Sequence, residues 1–319
     1  MTQYRQGQRG AALLTAMIIV TLIASLAGGM VWQQYRAVQI EAADRARAQS
    51  TWVLQGALDW ARLILKTDSS TVDDLNDFWA TPLAESRLST FLAGESGSAN
   101  GDDGPEAFLS GYIEDAQSRY NLRALVGGEQ VPQEEKITLQ RLCSQVNVPP
   151  QTATLIIDGL RAAFPAPANP PASNTGNAST EGPIQPAGLD QLAWLGLDAD
   201  TIKRLQPYVV LLPKATPVNL NTASREVIAA LLNVDLASAE RVVQGRKNKA
   251  FKSPTDASQL LPAGTTIDPS RASINSSYFL VTGRLRLDER QLEQRSLVER
   301  QGRNTTVLAR ERISQLVDH

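Results

Sequence analysis

The spacing of apolar and polar positions changes character several times along this chain, and each change predicts an element. Ala11 to Trp32 is apolar and carries no charge. As a helix rising about 1.5 Å per residue it extends roughly 33 Å, enough to cross the hydrocarbon core of a bilayer. Thr15, Thr21 and Ser25 are its only hydroxyl residues, and each can return its hydroxyl to a carbonyl of the same helix. The helical pattern then continues, since residues 33–66 hold no proline and Val53, Ala57, Trp60 and Ile64 recur on one face. This predicts one helix of about 55 residues. Its distal half is expected to pack on a globular domain, with Trp52 and Trp60 in the core.

Beyond that helix, Thr67 to Thr81 carries acids and turn formers, and Phe78, Trp79 and Pro82 suit a loop packed on the helix. The stretch 94–105 is too polar and glycine-rich to pack, and its Asp102 and Asp103 read as a solvated turn rather than a metal site. Ala107 to Glu114 reads as a strand. Pro132 to Phe164 is helical with a break at Pro149-Pro150, and Pro165 to Gly188 is a proline-rich loop or linker expected to be disordered. Leu189 to Leu212 suggests short helices. In Val218 to Leu232, Asn221 or Thr222 is placed to open a helix with Arg225 and Glu226 in its first turn, and Ala237 to Arg246 is the partner helix. Phe279, Val281, Gly283, Leu285 and Leu287 alternate with polar residues, and further strands are expected over about 292–300 and 305–312. That meander should pair with the 107–114 strand and pack on the Val53 to Ile64 stripe. A sheet is thereby split by a helical insertion of residues 130–272.

Composition narrows the chemistry. Net charge is −2, so no global positive field attracts polyanions. Cys143 is the single cysteine, which excludes an internal disulfide and a cysteine zinc cage, and it reads as an inert thiol. His319 is the single histidine and the last residue, so a serine or cysteine triad, an HExxH helix or a histidine metal site has no place in the folded body. The sequence carries no phosphate-binding loop, nucleophile elbow or dinucleotide fingerprint. An enzyme is not expected.

Arg5 and Arg9 precede the apolar stretch with no acid between them, which by the positive-inside rule keeps residues 1–10 cytoplasmic and sends the rest across the membrane. A plain uncleaved anchor fits this pattern, and so does a signal peptide cut after Ala27. A short basic leader ending in Gly10 ahead of the apolar stretch also resembles the type IV pilin and pseudopilin class. That resemblance implies cleavage between Gly10 and Ala11 by prepilin peptidase and N-methylation of Ala11. The class carries Glu at the fifth mature position, where this chain has Thr15. Tyr112 to Leu125 is similar to the strand-to-helix junction of the K-type minor pseudopilins of type II secretion, through Asp115, Arg119, Tyr120, Asn121 and Leu122. Members of that group also lack the fifth-position Glu. The run Asn219 to Ala223, with Asn221 and Thr222, resembles the signature of their helical domain. Read physically, Asp115 or Asn121 can cap a helix and Arg119 can pair with a nearby acid, so a structural role is expected.

The resemblance implies an α+β fold: a pilin-like long N-terminal helix packed on an antiparallel sheet, with a large inserted all-helical domain containing a helix-hairpin-helix-like unit. The expected divisions are a leader at 1–10, a membrane half-helix at 11–32, a periplasmic helix and first sheet part at 33–129, the helical insertion at 130–272 with its loop at 165–188, and returning strands at 273–319. It implies a protein that caps the tip of the type II secretion pseudopilus and helps initiate its assembly, for export of folded proteins across the outer membrane. Expected partners are other minor pseudopilins, the major pseudopilin, prepilin peptidase, the inner membrane and secreted proteins. Calcium belongs to the group, but of its acidic motif only Asp158, Glu181 and Asp190 remain, and the ligands are not carried over. The alternative is a membrane-anchored DNA-binding protein of the competence type. Against it, the hairpin Asn233 to Leu236 lacks glycine and places Asp235 where a phosphate would approach. Arg246, Lys247, Lys249 and Lys252 are expected to remain solvated beside a helix C-terminus.

Overall fold

The computed structural model describes residues 9–68, 71–88, 107–126, 128, 130–165, 184–287 and 290–316. The expected turn at Asp102 and Asp103 and most of the 165–188 loop lie outside the described residues. Two compact units meet at Gly56 and Ala57. The described residues of the first, 9–56, belong to helix α1 (Arg9–Thr67), which is 59 residues long. From Ala12 onward it holds a window of mean hydropathy 2.2 that is exposed throughout. It is long and apolar enough to cross a membrane once. Thr15, Thr21 and Ser25 donate to the carbonyls of Ala12, Ile18 and Leu22 at 3.0, 2.9 and 2.9 Å, which satisfies these hydroxyls without water.

In the second unit the last turns of α1 carry the apolar face of a five-stranded sheet. Strands β1 (Leu83–Arg87), β2 (Ala107–Asp115), β7 (Tyr278–Leu287), β8 (Arg290–Gln301) and β9 (Asn304–Leu316) are neighbours in that order, each pair antiparallel. β2 and β7 are adjacent in the sheet although residues 116–277 lie between them in the chain. Leu58, Ala61 and Leu65 of α1 pack with Trp79, Phe279, Val281 and Val298. The rings of Trp79 and Phe279 meet edge to face at 5.2 Å. The stripe anticipated at Trp60 is therefore displaced by one position. Trp60 is 39% and Trp52 75% exposed, and neither is core. Both the Val53–Ile64 and the Leu58–Leu65 residues repeat at helical spacing, so periodicity alone did not choose between these faces.

The excursion between β2 and β7 is built on its own core, which includes Leu122, Leu125, Leu139, Leu142, Ile156, Leu160, Val227 and Ile228. It contains α2 (Gln133–Gln145), α3 (Gln151–Ala163), α4 (Ala199–Leu205), α5 (Arg225–Leu232) and α6 (Leu236–Asn248). The Pro149-Pro150 break separates α2 from α3, because proline cannot donate to the ladder of a continuing helix. The caps are supplied by Asp198 for α4, Ser224 for α5 and Asp235 for α6. Asn221 and Thr222 were expected to open α5 and do not, since both are turned inward for another purpose described below. Asn233 ends α5 at φ 56°, a left-handed conformation that asparagine tolerates better than most residues. The insertion is not wholly helical. Two short parallel pairs cross it, β3 (Tyr120–Asn121) with β4 (Val209–Val210) and β5 (Val218–Asn219) with β6 (Ala272–Ser273). Two residues are too few to show an alternating pattern in sequence.

At the centre of the sheet Gly111 lies opposite Gly283. A Cβ on Gly111 would sit 2.7 Å from the Thr282 carbonyl oxygen, and a sheet backbone cannot yield to that contact. Gly111→Ala is expected to lower stability by about 1–3 kcal/mol, read as a shift in the denaturant midpoint with an unchanged m value.

Candidate functional site

The chain leaves the sheet at Asp115 and returns at Ser276, and these two places meet in one buried hydrogen-bonded junction. Asp115 is 3% exposed and ends β2 as the N-cap of a 3-10 turn (Ala116–Ser118). One carboxylate oxygen accepts from the Gln117 backbone N–H at 2.7 Å. The other accepts from Thr222 Oγ1 at 2.5 Å, Ser276 Oγ at 2.7 Å and Asn219 Nδ2 at 3.0 Å. Burying a carboxylate is expensive unless its lone pairs are filled, and here four donors from three stretches of chain fill them. Burial raises the Asp115 carboxyl above the usual range, offset in part by the bonds from Thr222, Ser276, Gln117 and Asn219.

A second carboxylate extends the junction towards α1. Asp73, fully buried, accepts from the Ser276 backbone N–H at 2.7 Å and from Arg300 Nη2 at 2.6 and 2.7 Å. Arg300 also reaches Asp68 at 2.9 Å and the Ser276 carbonyl at 3.0 Å, and its guanidinium lies 4.7 Å from the Phe279 ring centroid. Asn219 Nδ2 also donates to the Asp73 backbone carbonyl at 3.1 Å, and Ser276 joins the two carboxylates by donating its N–H to Asp73 and its hydroxyl to Asp115. Desolvation dominates at Asp73 and pushes its carboxyl up to about 6, against the attraction of Arg300.

The residues singled out in the sequence divide between this junction and its surroundings. Asp115, Asn219 and Thr222 come together on one carboxylate. Asn221 uses its side-chain amide to bridge the N–H and carbonyl of Phe251 at 2.9 and 3.0 Å, closing α5 and α6 onto the following loop. Asn121 caps the 3-10 turn Leu122–Val126 through the Arg123 N–H and also holds the Leu212 N–H and the Lys214 carbonyl. Tyr120 donates to Glu135 at 2.7 Å, Glu135 in turn receives Arg271 at 2.6 Å, and Leu122 is core. Arg119 pairs with Glu114 at 3.0 Å. Gly10 and Ala11 lie in α1. Sequence reasoning missed Asp73, Gln117, Ser276 and Arg300. Only Asp73 had a signal, its place in the acidic stretch 67–81 that reads as a loop packed on the helix, and nothing local marked the other three.

Other candidates resolve differently. Asp68, Asp73 and Asp77 present oxygens within 4.8 Å of one another. Arg300 already occupies the first two, while Asp77 accepts from the Asp74 N–H and Trp79 Nε1. A guanidinium thus supplies the positive charge there. Asp158 and Asp190 are exposed, neither belongs to a cluster of ligand-bearing side chains among the described residues, and Glu181 lies outside them. This set does not fit calcium. Arg246 was expected at the surface but is buried, donating to the Leu220 carbonyl at 2.6 Å, and burial lowers its pKa to about 10. At the α5–α6 hairpin the Asp235 carboxylate caps α6 through Ser238. Cys143 is buried and its thiol is pushed up to about 11, so it stays protonated and unreactive.

Family models described as "Type II secretion system (T2SS), protein K" match residues 118–214 and 218–277. The type II secretion system protein K of Pseudomonas aeruginosa is 27% identical over 305 residues, covering 90% of this chain and 87% of that one. The protein K of Klebsiella pneumoniae is 28% identical over 332 residues, covering 95% and 96%. Among solved structures, the crystal structure of the GspK-GspI-GspJ complex of the enterotoxigenic Escherichia coli type 2 secretion system contains a chain that matches at a TM-score of 0.62 and 20% identity. The match covers 85% of this chain and 98% of that one. At that identity the likeness establishes the fold.

The raised Asp73 pKa has a definite consequence for stability. The native state holds this proton more tightly than the unfolded chain, so the contribution is fully present below about 3.8 and is lost as pH rises through about 6. Unfolding free energy measured from pH 3.5 to 7 in wild type and in Asp73→Asn, which carries no titrating proton, is expected to diverge over that window. Wild type loses on the order of 1–3 kcal/mol relative to the variant. Parallel curves would show that Asp73 titrates normally.

Proposed function

Because the chain belongs to the type II secretion system protein K family, we propose that it caps the periplasmic end of a type II secretion pseudopilus and helps to begin its assembly. In this reading prepilin peptidase cleaves between Gly10 and Ala11 and Ala11 is then N-methylated. α1 holds the subunit in the inner membrane with its N-terminus cytoplasmic and its body periplasmic. The related GspK was solved together with GspI and GspJ, and the corresponding minor pseudopilins are the partners proposed here, with the major pseudopilin below them and secreted proteins above. The work is assembly and needs no catalytic group.

The observation that carries this reading is Thr15. In the pilin class a carboxylate at this position neutralises the N-terminal amine of a neighbouring subunit inside the membrane, where an unpaired charge is costly. Here the side chain is an uncharged hydroxyl bonded to the Ala12 carbonyl at 3.0 Å. A subunit without the carboxylate suits the position that has no neighbour above it. The insertion between β2 and β7 supports the same placement, since it adds a second folded core where a simple pilin sheet would continue directly.

Two measurements test the proposal. Mass and N-terminal sequence of the protein purified from membranes containing prepilin peptidase are expected to give a methylated chain starting at Ala11, and a start at Met1 or Gly28 would refute the processing. Thr15→Glu is expected to relieve the block on further addition, giving longer pseudopili and reduced secretion. Unchanged filament length and secretion would show that the missing carboxylate does not set the position.

A further inference from the structure

We propose that the seam between the last turns of α1 and the open edge of β9 is the surface on which another pseudopilin docks, through an acidic segment laid along β9. This rests on the assembly reading above and assigns it a surface.

Three observations converge on this seam. The first is a cationic surplus. A groove of about 540 Å³ runs between α1 and the β8–β9 turn, lined among others by Arg62, Lys66 and Arg303, with Asp59 as its acid. Lys66 and Arg303 are exposed and have no acidic partner among the described residues. The same holds for Arg310 on β9. Arg310 lies opposite Ser296, two positions along β8 from Val298, which packs beneath α1. Strand side chains alternate between faces, so Arg310 extends the positive strip on the α1 side of the sheet. The other face of the sheet is different: Arg284 pairs with Glu293, Arg286 with Glu85 and Arg119 with Glu114. The unmatched charge is thus local to one side.

The second observation is apolar area beside those charges. Trp60 is 39% and Leu63 54% exposed on α1. Tryptophan and arginine side by side are the composition of interface hot spots. Arg62, held by Asp59 and the Thr305 carbonyl at 2.8 Å each, has a buried Nε–H with no partner among the described residues. The third is the strand edge. β9 is 13 residues long and pairs only with β8 among the described residues, so alternate N–H and carbonyl groups along it are available to another strand. The opposite edge, β1, has only five residues and is a poorer template. A nucleic acid would use the cations alone. A partner protein with acidic residues on an extended segment uses the cations, the apolar area and the strand edge together.

The test uses the full chain in detergent with the purified I-type and J-type minor pseudopilins of the same secretion system. Association is measured by titration calorimetry for wild type, for Lys66→Glu/Arg303→Glu/Arg310→Glu, and for a control reversal on the helical domain, Lys136→Glu/Lys203→Glu. Wild-type affinity is expected to fall as salt rises, the seam variant to bind at least about tenfold more weakly at low salt, and the control to bind as wild type. If the triple variant has a lowered unfolding midpoint, Arg303→Glu alone, in the exposed turn, takes its place, with a smaller loss expected. Equal binding by wild type and seam variant overturns the seam and leaves the assembly reading intact. No binding by wild type to either partner overturns both. Salt-dependent binding of duplex DNA that the seam variant loses, with pseudopilin association unaffected, also overturns the proposal.

Discussion

Removing the Asp115 carboxylate from water is the constraint on which the arrangement of the folded body depends. A buried carboxylate is tolerable only when donors converge on it, and each unmade bond at such a site costs about 1–3 kcal/mol. The donors come from the turn after β2, from the start of the helical insertion's second half and from the chain's return to the sheet. The strand cannot end there, nor the insertion begin, without bringing Asn219, Thr222 and Ser276 to the same point. One charged group thereby fixes how the second core is mounted on the first.

Asp73 and Arg300 add a second layer to this mounting at an electrostatic cost. One guanidinium serves Asp68 and Asp73 while Asp115 stands near by, so negative charge exceeds positive in a dry place. Breaking a buried pair of this kind is worse than never having formed it, because the surviving partner is left uncompensated. The junction is therefore specific as well as costly: only one arrangement of α1, the following turn, β8 and the insertion satisfies all its members.

Much of the architecture was legible from local pattern. The uncharged run and the unbroken helical period announced α1, the Pro149-Pro150 pair marked the break between α2 and α3, and alternation announced β7, with β8 and β9 expected as the strands that follow it. Where pattern misled, the reason was physical. Helical spacing fits the Trp60 face and the Leu58–Leu65 face equally well, and only the sheet's position selects between them. Asn221 and Thr222 have the chemistry of helix caps, yet Ser224 takes that role because their side chains are drawn to the Phe251 backbone and to Asp115. Arg246 reads as one more cation of a basic run until the Leu220 carbonyl is seen to claim it.

By itself the sequence determined the class of the molecule: one membrane-length helix after a basic N-terminal stretch, a split antiparallel sheet and an insertion rich in helix, with Thr15 in the apolar run. These follow from short-range periodicity and charge, which act within a few residues of the chain. Only the tertiary structure decided which polar residues are structural fastenings and which remain at the surface. Asp73, Asp115, Asn219 and Ser276 are far apart in sequence and individually ordinary, and their meaning lies in a shared desolvation that no local pattern records.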